Sequence, residues 1–129
     1  FQLAQVKACK AWLAAVAAQE GKEVQGLNYV FCSDDYLLSV NQKYLNHDYY
    51  TDIITFNNAD EDAIIESDIF ISIDRVKENA ETHNEKFEEE LNRVIIHGVL
   101  HLLGYDDKTK EAKTEMREKE NACLSLLNN

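Results

Sequence analysis

Proline is absent from the 129 residues, and only four glycines punctuate them. A chain without proline has no proline-rich linker and no rigid X-Pro turn. It also lacks low-complexity tracts and internal repeats, so one compact domain over residues 1–129 is expected. Apolar runs of about 18 residues or more are missing, which excludes a membrane-spanning helix from the expectation. The apolar stretch at 11–18 is short, has no charged leader and reads as helix rather than signal peptide. The first residue is Phe1 and not methionine, so a longer natural N-terminus is expected. Cysteines are few and scattered, at Cys9, Cys32 and Cys123, which is no disulfide framework. Free, buried thiols in a reducing cytoplasm are the expectation. Basic residues are also scarce: 13 against 24 acidic ones give a formal net charge of −11. That balance disfavours broad electrostatic attraction to nucleic acid, while leaving room for a local basic groove or a metal acting on phosphate.

What is present alternates between helix and strand. Leu3, Val6, Trp12, Leu13 and Val16 recur at helical spacing, and Gly21 stops that helix. Residues 27–32 are rich in strand formers. Residues 34–44 read as a helix capped by Ser33 or Asp34, and 51–56 as a strand. A polar loop follows over 57–66. Ile69, Ile71 and Ile73 then alternate with Asp68, Phe70 and Ser72 in a strand over 67–73. Asp74 is placed to cap a helix reaching Thr82. Phe87, Leu91, Val94, Ile95, Gly98 and Leu102 mark a long helix ending at Gly104, and a last helix covers about 109–127. This order predicts an α/β or α+β layer, a small sheet covered by helices.

The chemistry concentrates at the end of the long helix. His97 and His101 are four residues apart, which on an α-helix puts both rings on one face with Cβ atoms about 6 Å apart. That spacing suits two imidazoles on one metal; the competing reading is a pair of core histidines satisfied by hydrogen bonds. Gly104 can take a left-handed conformation and reverse the chain, bringing Tyr105, Asp106 and Asp107 back towards the histidines. A carboxylate there would complete a three-ligand set. Three protein ligands with one open position suit a catalytic zinc, whose bound water ionises near neutral pH.

The string His97-Gly98-Val99-Leu100-His101-Leu102-Leu103-Gly104-Tyr105-Asp106-Asp107 closely resembles the signature H-G-x-L-H-L-x-G-Y-D-H of the YbeY family, bacterial endoribonucleases of ribosomal RNA maturation. Every position but the last agrees. Residues 44–56, Tyr44-Leu45-Asn46-His47-Asp48-Tyr49-Tyr50-Thr51-Asp52-Ile53-Ile54-Thr55-Phe56, are similar to the family's Y-R-G-x-D-x-P-T-D-V-L-S-F. Ser67-Asp68-Ile69-Phe70-Ile71 resembles its G-D-I-x-I strand. The blocks come in the family's order and cover about 27–127. The resemblance implies an α+β fold with a small mixed β-sheet surrounded by helices and a metal site at the C-terminal end of a long central helix. It also implies a bound zinc ion and cleavage of single-stranded ribosomal RNA in ribosome maturation and quality control, with the small ribosomal subunit or its proteins as partners. It implies a further strand before the first helix, with this chain beginning at or after that point.

Departures from the pattern shape the site. The family's third ligand is histidine, and Asp107 stands there. The implied set is therefore His97, His101 and Asp107, a mixture that still suits Zn2+ and widens the choice to Mn2+ or Fe2+. Two histidines and a carboxylate also describe non-haem iron oxygenases, though nothing else here points to oxygen chemistry. Asp106 is the competing ligand. It is assigned to proton handling or to a hydrogen bond with a ligating histidine, against the plainer reading of a turn cap. The family's arginine after Tyr44 is Leu45, which cannot meet phosphate, and its proline is Tyr50. Arg93, one turn before His97, is the candidate cation for RNA, against an ion pair with Glu89 or Glu90. Lys43 is a weaker one. Thr55 shares a strand face with Thr51 and Ile53 beside the implied cleft and is a candidate substrate contact; Asp52 and Ile54 take the other face. Asp68 reads as a strand-end hydrogen bonder, and His47 and His83 as exposed.

Two other functions compete with RNA cleavage. A zinc peptidase needs a glutamate after the first histidine as general base, and Gly98 offers none. A non-catalytic, ribosome-associated factor would need a fourth ligand for a structural metal, from His47 or His83. Within the nuclease reading, attack by metal hydroxide and attack by the neighbouring 2′-hydroxyl both remain open.

Overall fold

The structure, a computed structural model, describes residues 1–127. In chain order the elements are α1 (Val6–Gln19), β1 (Glu23–Cys32), α2 (Asp34–Leu45), β2 (Ile53–Asn57), β3 (Ile64–Ser72), α3 (Ile73–Thr82), α4 (Phe87–Leu102) and α5 (Lys110–Leu127). The expected α+β architecture with a small mixed sheet is present. β3 lies at its centre, parallel to β1 and antiparallel to β2.

The alternation of β3 divides the molecule into two layers. Ile69 and Ile71 point into the main core with Trp12, Leu13 and Val16 of α1, Val76 of α3, Leu91, Ile95 and Leu100 of α4, and Met116 of α5. Phe70 points the other way, against a smaller cluster of Leu37 and Val40 from α2 with Ile54. Ile53 pairs with Ile71 and Thr55 with Ile69, so these β2 residues face the main core and α4.

Besides β2, which runs Ile53–Asn57 instead of 51–56, boundaries differ from the sequence reading in three places. β1 begins at Glu23, four residues early, because the parallel ladder with β3 extends through Glu23↔Ile64 beyond a bulge at Val24/Gly26. β3 begins at Ile64, so Ile64-Ile65 are strand and the polar loop is shorter. Ser72, not Asp74, caps α3: its Oγ accepts from Arg75 N at 3.1 Å. Asp74 instead accepts from Asp34 N at the start of α2. All three cysteines are free, though only Cys123 is fully buried. Among the described residues no helix is long and apolar enough to cross a membrane.

Helix α4 is the element that positions the site. Glu88, Glu89 and Glu90 occupy its first turn, where negative charge is favoured by the helix dipole. Its end is closed by Gly104 N to His101 O at 3.1 Å and Tyr105 N to Leu100 O at 3.0 Å, with Gly104 at φ 104°. This is a Schellman closure, and it turns the chain back over the last helical turn. Gly98 lets the helix lie close against β2. A Cβ added there would sit 2.7 Å from Ile53 Cδ1 and 3.3 Å from Thr55 Cγ2. Gly98→Val should therefore lower stability by about 1–3 kcal/mol through overpacking, read as a shifted denaturation midpoint; an unchanged midpoint would show that the helix–strand spacing is not set here.

Candidate metal centre

The two histidines and the returning chain converge. Nε2 of His97 and Nε2 of His101 are 2.9 Å apart, with ring planes at 86°. Asp107 Oδ2 lies 3.5 Å from His97 Nε2 and 3.8 Å from His101 Nε2. These three side chains form a group able to hold one metal ion. The Schellman turn brings Asp107 here: helix α4 ends at Leu102, one residue after His101, and Gly104 sends the next residues back over its face.

The other ring nitrogens are held by acceptors. His97 Nδ1 is 2.7 Å from Glu120 Oε2, and His101 Nδ1 is 3.1 Å from the Tyr105 carbonyl oxygen. A carbonyl can only accept, and an ionised carboxylate can only accept. Burial works against the charge of Glu120, but hydrogen bonds from His97 and Arg93 overcome it and hold its pKa below the ordinary value. Both Nδ1 atoms must therefore carry the hydrogen. The neutral rings then face each other with two Nε2 lone pairs 2.9 Å apart, an arrangement that requires a proton or a cation between them. The donor set thus fits a bound divalent metal.

Glu120 is only 4% exposed. Its Oε1 accepts from Arg93 Nη1 at 2.9 Å, and Arg93 Nη2 donates to Asn121 Oδ1 at 2.9 Å. The chain Arg93–Glu120–His97 locks the imidazole across the α4–α5 contact. Beside it is a cavity of about 300 Å³ whose lining includes His97, Asp107, Asp52, Arg93, Lys113 and Arg117. Asp52 does not follow the strand alternation expected of it, because β2 starts at Ile53 and Asp52 lies before the ladder. Its carboxyl is pushed up by burial, which outweighs the charge of His97 and the backbone N–H groups of Asp52 and Ile53. For His97, burial opposes the imidazolium, but the Glu120 hydrogen bond and the charges of Glu120, Asp52 and Asp107 win and raise its pKa.

The family model described as Endoribonuclease YbeY matches residues 2–128. The chain belongs to this family. It is 53% identical to the Endoribonuclease YbeY of Cytophaga hutchinsonii, over 98% of this chain and 88% of the relative. It is 49% identical to that of Parabacteroides distasonis, over 94% and 84%. The fold is similar to the solution structure of a Thermotoga maritima protein with a TM-score of 0.69 at 32% identity, covering 98% of this chain and 85% of that one. The family's name carries the reaction class, endonucleolytic cleavage of RNA.

Against this family frame the remaining candidates separate. Asp106 is turned away from the histidines: its Oδ1 accepts from Lys108 N at 3.2 Å, the turn cap, and it lines a different cavity with Glu20 and Tyr105. The hydrogen-bonding task assigned to it falls to Glu120 and the Tyr105 carbonyl. Arg93 does form an ion pair, but with Glu120 rather than Glu89 or Glu90, and both terminal nitrogens are engaged. Thr55 directs its methyl towards Gly98. Asp68 accepts from Asn28 and Asn58. His47 stacks on Tyr49, and His83 lies 3.8 Å from Glu90; neither joins the triad. Glu120 was missed by sequence reasoning. The signal was a charge on the buried stripe Met116, Glu120, Cys123 of α5, where an acid is rare without a partner.

Protons and metal compete for His97. Because the His97 pKa is raised, metal affinity should begin to fall at a higher pH than for an ordinary histidine as the solution is acidified. In the metal-free protein the same raised pKa contributes stability that is complete below the unfolded histidine value and lost as pH rises through the folded one. Glu120→Gln should lower metal affinity about 10–100-fold and shift its acid limb to lower pH, measured by competition with a chelating dye. An unmoved acid limb would show that Glu120 does not tune His97.

Proposed function

We propose that this protein is a metal-dependent endoribonuclease that cuts single-stranded RNA in ribosomal RNA maturation and ribosome quality control in the cytoplasm. His97, His101 and Asp107 would hold one Zn2+, with Mn2+ or Fe2+ as alternatives because of the carboxylate. The observation that carries this reading is the pair of Nε2 atoms facing each other at 2.9 Å while both Nδ1 atoms are tied to acceptors. Family membership supports RNA as the substrate class. When bound, the cation supplies a Lewis acid for a phosphoryl oxygen and an acidified water.

The chain's own groups do the rest. Glu120, fixed by Arg93, holds His97 in the Nδ1–H tautomer and makes Nε2 a better donor to metal. Arg93 therefore acts on the substrate through Glu120 and His97, and not by a free guanidinium. Lys113 and Arg117, on the wall of the same cavity, bring positive charge to phosphate. Asp52, held towards its neutral form by burial beside His97, is placed to exchange a proton at its carboxyl oxygen with substrate or water. Asp106 contributes by fixing the turn that presents Asp107. The small ribosomal subunit, or its proteins, would supply the positive surface that a chain of net charge −11 lacks.

The purified protein should carry about one equivalent of divalent metal and cleave a single-stranded RNA oligonucleotide in a chelator-sensitive way. His101→Ala should abolish both metal retention and cleavage, and Asp107→Asn should weaken metal binding more than Asp106→Asn. Cleavage that persists undiminished in chelator, or in His101→Ala, would overturn the reading.

A further inference from the structure

Helix α2 and the segment returning from it carry an unusual amount of exposed aromatic surface. Tyr44 is 62% exposed, Tyr49 55% and Tyr50 49%. These rings are not loosely hung. His47 stacks on Tyr49 at 5.2 Å and 22°, with Tyr49 Oη 3.1 Å from His47 Nδ1. Asn41 Nδ2 donates to the Tyr49 carbonyl, and Tyr50 Oη donates to Asp35 Oδ1. These bonds lay residues 46–50 back along α2, so Tyr44 and Tyr50 are separated by the helix rise from Asp35 to Tyr44, roughly 14 Å. Each end of the strip has a cation over a ring: Lys43 Nζ is 5.3 Å from the Tyr44 centroid and Arg75 Cζ is 5.6 Å from that of Tyr50.

The strip leads to the candidate metal centre. Tyr50 is two residues before Asp52, which lines the cavity with His97 and Asp107. Arg75, over the Tyr50 ring, lies one turn of α3 before Asn79, which lines the cavity together with Asp52, so this end of the strip borders the cavity. Exposed, pre-ordered rings offer flat faces to any nucleobase, and stacking needs no positive potential. An acidic chain that handles RNA has few phosphate contacts to spend, so contact through the bases is the route its composition leaves open.

We infer that Tyr49 and Tyr50, flanked by His47, Tyr44 and Arg75, form a stacking track that holds unpaired RNA bases and feeds the strand into the cavity beside His97. The inference rests on the proposed action on single-stranded RNA, but it concerns binding and not cleavage. Binding of a labelled single-stranded RNA oligonucleotide in chelator, by fluorescence anisotropy, separates the two. The Tyr49→Ala/Tyr50→Ala protein should bind at least about tenfold more weakly, while Tyr49→Phe/Tyr50→Phe, which keeps the rings and loses their hydroxyl bonds, should bind within about twofold of the parent. The slope of log affinity against log salt should be about 1.5 or less in magnitude, what two phosphate contacts at roughly 0.7 each would give, where a chain of phosphate contacts would give more. Thermal melts check that both variants fold. Equal affinity of the alanine variant, failure of the phenylalanine variant to bind, or no RNA binding by the parent chain would each overturn the track; the first would leave the rings as a protein-docking surface. Tyrosine-dependent binding without any metal-dependent cleavage would leave the track standing and remove the nuclease reading.

Discussion

A carboxylate buried between two helices organises this molecule. Glu120 reaches from α5 to His97 on α4, and Arg93, one turn earlier on α4, reaches back to it. A buried glutamate without partners would be strongly destabilising. Here both oxygens are engaged by groups that themselves need fixing. The same contact therefore joins the last helix to the fold, chooses the tautomer of one imidazole and leaves its Nε2 facing the cleft. His101 receives the equivalent constraint from backbone, since the Schellman turn that ends α4 delivers the Tyr105 carbonyl to its Nδ1. One ring is set by tertiary packing and the other by helix termination.

Helix placement matters as much as ring orientation. Gly98 lies between the two histidines and faces β2, where Ile53 and Thr55 occupy the space a side chain would need. Close approach of α4 to the sheet puts His97 beside Asp52, which belongs to the segment just before β2. The site is thus assembled from the end of one helix, the turn after it, the approach to an edge strand and the buried face of the last helix.

Local features of this site could be read from the sequence, and its long-range ones could not. The i, i+4 histidines, the glycine that reverses the chain and the aspartates after it are close in sequence, so spacing and turn chemistry bring a carboxylate to His97 and His101, while the choice of Asp107 over Asp106 comes from the family signature. The layered fold was legible for the same reason: Ile69 and Ile71 alternate with Phe70 as a strand sandwiched between two layers must. Glu120 is 23 residues from His97, and nothing in local pattern says that a glutamate on a helix stripe meets an imidazole. Arg93 shows the same limit: spacing offers it only Glu89 and Glu90 as partners, whereas it binds Glu120 and Asn121 on α5. The strand start at Glu23 is obscured because polar residues there are recruited by the ladder between β1 and β3, and the start at Ile64 because the apolar pair Ile64-Ile65 sits between polar stretches.

The claim on which the chemistry depends is that both histidines present unprotonated Nε2 atoms to a common cation. Nitrogen-15 NMR of the imidazoles, recorded at a pH above the His97 titration with and without one equivalent of zinc, tests it most directly. Both rings should be in the Nδ1–H tautomer, with the two Nε2 resonances alone moving strongly when zinc is added. Rings that keep hydrogen on Nε2, or resonances that zinc leaves in place, would contradict a metal centre at His97 and His101.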